Sequence, residues 1–245
     1  MSDVATTVAP LTALVTGATS GLGKAIALRL ARDGMGVIVV GRNAARGAAV
    51  VDQIKAAGGQ ASFIAADLSD PAEIERLAFD AGDIDVLVNN AGYSMWGPTE
   101  KTTVEDFDAI FASNVRAPYL LVGAFAPAMA AHGCGSIINI SSISGRIGLP
   151  NGAAYGATKA ALASLAQSWA AEYSPRGVRV NAVAAGPIYT RPEARELYDT
   201  LGATTALNRA AEPDEIADVV AFLASAEASY VTGAIVAADG GRTAI

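Results

Sequence analysis

Residues 11–23 read L-T-A-L-V-T-G-A-T-S-G-L-G and run directly into K-A-I-A-L-R-L-A-R at 24–32. The first six residues are an apolar run of strand length. The last nine place Ile26, Leu28 and Leu30 in a helical pattern. Between them stand Gly17, Gly21 and Gly23, spaced G-x-x-x-G-x-G. A glycine-rich turn that joins a strand to a helix lets the backbone approach a pyrophosphate, whose charge meets the helix N-terminus. Elsewhere such a turn is only a turn. Here its position between the first strand and first helix points to a dinucleotide.

The same alternation continues. Gly36 to Val40 is a second strand, followed by a polar helix from about Ala44 to Ala57. Ala61 to Ala66 is a third strand ending in Asp67-Leu68, and Asp70 caps a helix from Pro71 to Ala81. Ile84 to Val88 is a fourth strand, ending Asn89-Asn90-Ala91-Gly92. Thr103 to Ala131 reads as one long helical stretch, Gly135 to Ile140 as a strand leading into Ser141-Ser142, and Ala154 to Tyr173 as a helix. Strands alternating with helices specify an α/β fold: a Rossmann-like, doubly wound parallel sheet of about seven strands with helices on both faces.

In such a sheet the ligand crevice lies beyond the carboxyl ends of the strands. Asp67, Asn90 and Gly92 are therefore candidates to line a cofactor. Asp67 could instead cap a turn, and Asn90 could brace the sheet. The second strand ends in Gly41-Arg42-Asn43 with no acid to bind the 2′-hydroxyl of NAD. Arg42 offers a planar, fixed positive charge suited to a 2′-phosphate, which favours NADP over NAD. A solvated surface arginine is the competing reading.

Tyr155 and Lys159 are four residues apart, a spacing that stacks two side chains on one helix face. Packing alone can account for such a pair. An ammonium near a phenol favours the phenolate, so Lys159 is expected to lower the pKa of Tyr155 from about 10. A tyrosine so tuned can exchange a proton with a substrate oxygen. Asn114, inside a helical stretch, is expected to point to solvent, as a polar residue there usually does.

T-G-A-T-S-G-L-G, N-N-A-G, Asn114, Ser142 and Y-G-A-T-K occur in this order. They are joined by G-V-R-V-N-A-V at 177–183, A-G-P-I-Y-T at 185–190 and Asp239-Gly240-Gly241. From about Leu11 to Gly241 the chain resembles the short-chain dehydrogenase/reductase family, in its compact single-domain form. The resemblance implies Tyr155 as general acid and base, with Lys159 hydrogen-bonding the nicotinamide ribose and lowering the tyrosine pKa. It implies Ser142 as donor to the substrate oxygen, and Asn114 as holder of a water that relays protons from Lys159. It places Gly17, Ser20, Gly21 and Leu22 around the pyrophosphate and adenosine ribose, and Asp67 and Leu68 at the adenine. Asn90 and Gly92 would lie along the cofactor, with Ile188 and Thr190 at the nicotinamide amide. Two departures stand out. Ala185 occupies a position where the family usually has proline, and Ser20 one where a basic residue sometimes stands.

The stretch 189–211 matches the family's variable substrate lid, residues 11–245 its single catalytic domain, and 1–10 a flexible terminus. Tyr93, Ser94, Met95, Trp96, Ile143, Ser144, Arg146, Leu149, Tyr189 and Leu197 follow strand ends and are the candidate substrate pocket; loop packing is the alternative for several of them. Their mostly apolar character favours a small hydrophobic ketone or alcohol. A 3-oxoacyl-acyl-carrier-protein reductase carries the same motifs, and a dinucleotide-sensing protein without turnover is the alternative of another class.

Composition narrows the partners. The chain has 245 residues, 52% of them hydrophobic, and a net charge of −7, which disfavours nucleic acid and an acidic carrier protein. With one histidine and one cysteine, no metal site is expected. The lone Cys134 suits a reducing compartment. With no signal peptide or membrane-length apolar run legible, a soluble cytoplasmic protein is expected. The two alanine-rich helices pair between subunits in the family, so a homotetramer is expected, with a dimer as the fallback.

Overall fold

The computed structural model describes residues 10–245. The expected flexible stretch 1–10 therefore lies, except for Pro10, outside the described residues. Seven strands form one sheet in the order β3-β2-β1-β4-β5-β6-β7, every pair parallel. They are β1 (Thr12–Thr16), β2 (Gly36–Gly41), β3 (Gln60–Ala65), β4 (Val86–Asn89), β5 (Gly135–Ser142), β6 (Val178–Ala185) and β7 (Ile235–Ala238). This is the doubly wound α/β arrangement that the alternating pattern specifies.

The helices are α1 (Gly21–Arg32), α2 (Ala44–Ala56), α3 (Pro71–Ala81), α4 (Val104–Phe111), α5 (Ala117–His132), α6 (Ala153–Tyr173), α7 (Arg195–Gly202) and α8 (Pro213–Ala224). One core joins α1, α2 and α8 to a face of the sheet through Ile26, Leu30, Val50, Ile54, Val220 and Leu223. On the other face Ile74, Leu77, Leu121, Phe125, Leu162 and Trp169 bring in α3, α5 and α6. Strands covered on both faces read as continuous apolar runs, which is why β1, β2 and β4 were legible as such.

The expected single helix from Thr103 to Ala131 is instead two, joined by a π-helical turn over Ala112–Arg116. The interruption puts Asn114 in the interior at 1% exposure, so the expectation that it faces solvent is overturned. The run Val104–His132 does reach the length and mean hydropathy (1.3) of a membrane span, contrary to the sequence reading. Its apolar side is spent on the sheet, where Leu121, Val122, Phe125, Ala126 and Met129 are buried.

Candidate active site

The strand order reverses between β1 and β4, and a cleft of ≈ 730 Å³ opens at their carboxyl ends. The glycine-rich turn forms its floor. Gly17 has φ +64°, a conformation side chains rarely adopt. At Gly23 a Cβ would stand 2.4 Å from both the Gly17 oxygen and Asn90 Nδ2, so α1 meets the turn only because that position is bare. Thr16 ties the turn to β4: its Oγ1 accepts from the Asn90 and Ala91 amides, at 2.9 Å each, and donates to the Val88 oxygen. Asn90 Nδ2 donates to the Thr16 oxygen at 2.8 Å. Asn90 thus braces the turn and lines the cleft.

Of the residues assigned to the cofactor, Gly17, Ser20, Leu22, Arg42, Asp67, Leu68, Asn90, Gly92, Ile188 and Thr190 all line this cleft. Gly21 does not; it packs against Thr190, whose Cβ would stand 3.4 Å from an added Cβ. A cradle of bare backbone at a helix N-terminus fits a pyrophosphate. Arg46, in the first turn of α2, also lines the cleft beside Arg42 and was missed in the sequence. Its signal was present: a basic residue in a first helical turn that carries no acid. Neither guanidinium has a carboxylate partner among the described residues. Asp67 beside them is held below its usual pKa, mainly by the backbone amide and hydroxyl of Ser69 and to a lesser degree by Arg42.

At the other end of the cleft stand Ser142, Tyr155 and Lys159. β5 runs two residues further than expected and carries Ser142 at its tip. Ser141 Oγ donates to the Lys159 backbone oxygen at 2.8 Å, which fixes α6 against that tip. Ser142 Oγ accepts from the Ser144 amide at 3.2 Å and lies 3.3 Å from Ser144 Oγ. Lys159 Nζ is buried at 6% exposure, donates to the Ile140 oxygen at 2.8 Å and sits 5.8 Å from the centre of the Tyr155 ring.

The expected lowering of the Tyr155 pKa does not appear. Burial of the phenol raises it, and the Ser142 hydroxyl only partly offsets this. The same burial falls on Lys159, whose pKa drops from 10.5 to about 8. An ammonium removed from water loses charge readily, so the pair shares one low-dielectric pocket in which both charged forms are disfavoured.

Asn114 lies outside the cleft lining but behind it. Its Nδ2 donates to the Tyr93 oxygen and to Thr158 Oγ1, and its Oδ1 accepts from the Tyr93 amide. An added Cβ at Gly92 would stand 2.7 Å from Asn114 Oδ1 and 3.8 Å from Lys159 Nζ. The bare Gly92 thus sits between the amide and the ammonium.

The candidate pocket residues divide. Tyr93 and Ser94 line the cleft; Trp96, Ser144, Leu149, Tyr189 and Leu197 do not. Ile143 is buried, and Leu197 and Arg146 are exposed on the surface. Trp96 packs on Tyr155, with ring centroids 5.9 Å apart. Met95 lines a separate ≈ 360 Å³ cavity with Phe107 and Ala154. The segment 189–211 contains α7, which docks on its own root. Tyr189 donates to Asp199, Thr190 Oγ1 is 2.8 Å from the Tyr198 hydroxyl, and Arg195 stacks on Tyr189 at 4.6 Å. Tyr198 therefore contacts Thr190, a residue of the cleft.

The sheet's switch point thus holds one crevice, floored by glycines and lined at its far end by Ser142, Tyr155 and Lys159. Residues 17–243 match the family model described as enoyl-(acyl carrier protein) reductase. A cyclopentanol dehydrogenase of Comamonas testosteroni is 36% identical over 241 residues, 94% of this chain and 96% of that one. The crystal structure of a provisionally assigned betaketoacyl-ACP reductase superposes with a TM-score of 0.90 at 45% identity, covering 96% of this chain and 98% of that one. A blue fluorescent protein from a metagenomic library, solved in complex with NADPH, gives 0.88 at 37% identity, covering 95% and 97%. The chain belongs to the short-chain dehydrogenase/reductase family and is an oxidoreductase.

Proposed function

We propose that the protein transfers hydride between NADP and the carbonyl or secondary alcohol of a small hydrophobic substrate. The observation that carries this is one cleft with Ser142, Tyr155 and Lys159 at one end and the guanidiniums of Arg42 and Arg46 at the other. Gly17, Ser20, Leu22, Asn90, Gly92, Ile188 and Thr190 would hold the dinucleotide, with Arg42 and Arg46 on its 2′-phosphate. The cofactor supplies or accepts the hydride when bound, which no side chain can do. The chain supplies the rest. The Ser142 hydroxyl donates to the substrate oxygen and stabilises charge developing there. Tyr155 gives that oxygen its proton in reduction and takes it back in oxidation. Lys159 donates to the cofactor ribose and holds positive charge beside the phenol, while Asn114 keeps a water through which Lys159 exchanges protons with solvent.

A purified sample assayed with NADPH and NADH against aliphatic and aromatic ketones tests the reading. NADPH consumption with several ketones supports it; binding without consumption favours a sensor. The 45% identical structure favours a second reading, a 3-oxoacyl-acyl-carrier-protein reductase. Rapid turnover of acetoacetyl thioesters, with simple ketones inert, would replace the first reading by this one.

Arg42→Ala and Arg46→Ala test the cofactor assignment. Each charge-assisted contact is worth about 1.5–3 kcal/mol. Each variant is therefore expected to weaken NADPH binding by about 10- to 100-fold, with NADH binding unchanged. Titration of protein fluorescence with the two cofactors measures this; a wild type that prefers NADH ends the NADP assignment.

Residues 11–245 act in this reading as one catalytic domain, with 189–211 as its substrate lid. A cytoplasmic location and a homotetramer, or failing that a dimer, complete it. Light scattering on the purified protein is expected to give four chains per particle, and a monomer would contradict the assembly.

A further inference from the structure

We propose that Trp96 is a positioning residue: its indole fixes the ring of Tyr155 and keeps the phenol dry. This rests on the reading of Tyr155 as the proton donor. Three features of the chain converge on seating this one side chain. First, α6 begins after Gly152, which provides no side-chain cap where serine, threonine, aspartate or asparagine could supply one. The reason is space, because a Cβ on Gly152 would stand 2.6 Å from Trp96 Cζ3. Second, Asn151 is held at φ +63°, in the left-handed region. Its oxygen there accepts the Gly97 amide at 2.9 Å, which pins the loop immediately after the tryptophan. Third, the indole so placed lies with its centroid 5.9 Å from that of Tyr155, tilted by 50°.

Tyr155 is thus flanked by Trp96, by Lys159 Nζ and by the Ser142 hydroxyl. Lys159 acts on charge and Ser142 on the oxygen. Only Trp96 is apolar, and only it is carried on a loop rather than on β5 or α6. The loop after β4 therefore adjusts the proton donor as well as bordering the substrate cleft.

The test compares Trp96→Phe, Trp96→Ala, Gly152→Ala and the Trp96→Ala/Gly152→Ala double variant, with Tyr155→Phe as reference. Loss of turnover in Tyr155→Phe establishes the reading on which the proposal rests; if it keeps turnover, that reading fails and the proposal with it. Given that loss, Trp96→Ala is expected to lower kcat by about 10- to 100-fold, the range expected for misplacement of a reacting group by about 1 Å. Cofactor affinity should stay at the wild-type value, and the rise of oxidation with pH should move to lower pH as water reaches the phenol. Trp96→Phe should restore most of kcat. Gly152→Ala, which pushes the indole aside, should reproduce the loss. The double variant should be no worse than either single one, because both act through the same contact. A Trp96→Ala enzyme with kcat within threefold of wild type and an unmoved profile overturns the proposal. So do losses that simply multiply in the double variant.

Discussion

Tyr155→Phe is expected to lower kcat by about 10³–10⁴-fold, the upper end of what a positioned proton donor contributes. The phenol oxygen interacts with Ser142, and its ring lies against Trp96. Removing it leaves the ring, its packing and the cleft in place. Affinity for NADPH and the melting temperature should therefore stay near wild type. Because burial raises the Tyr155 pKa in the free protein, the tyrosine keeps its proton for reduction, and the rate should fall only as Lys159 loses its charge, above about pH 8. Oxidation, which needs the phenolate, should gain rate as pH rises over the same range. Steady-state kinetics in both directions across pH 6–10 measure this, and near-normal kcat in the variant would remove Tyr155 from the chemistry.

Lys159→Met is expected to remove turnover to a similar degree and to make the free protein more stable. The pKa of Lys159 falls from 10.5 to about 8 because the folded chain buries its charge. That gap corresponds to a penalty of about 3 kcal/mol. The sign follows from proton binding. Between pH 8 and 10.5 the unfolded chain holds a proton that the folded chain has lost, so this group makes folding stability rise with pH through that window. Below pH 8 the penalty is present in full. Loss of the bond from Nζ to the Ile140 oxygen offsets about 1–2 kcal/mol. The net gain expected at pH 7 is therefore about 1–2 kcal/mol. Urea unfolding of both proteins at pH 7 and pH 10 checks it: the wild type should close the gap at high pH. A variant less stable than wild type at pH 7 would show that Lys159 bears no such strain.

These two residues show how far sequence carries. Strands buried on both faces spell themselves as apolar runs, and a glycine turn between β1 and α1 has few other uses, so the architecture was legible. The spacing of Tyr155 and Lys159 on α6 was legible as well, because helix geometry alone sets it. Their protonation was not. The sequence pairs an amine with a phenol and suggests a lowered tyrosine pKa, whereas dehydration of both groups depends on what the fold packs around them. The contact of Tyr198 with Thr190 and the seat of Trp96 on Gly152 were hidden for a related reason: each forms across a bend of the backbone, and no periodicity records such an encounter. The interior place of Asn114 was missed because it depends on a local change of helix type.

That change reaches beyond the asparagine. A π turn accommodates one residue more than an α turn over the same rise. Deleting a single residue between 112 and 116 would restore an ordinary helix there with the residues after it still in phase, whereas the same deletion in a regular helix would rotate them by about 100°. Leu121, Phe125 and Met129 would stay on the sheet. The bulge is the part of this helix that can be lost without turning its oily side, and what goes with it is the polar notch at Asn114.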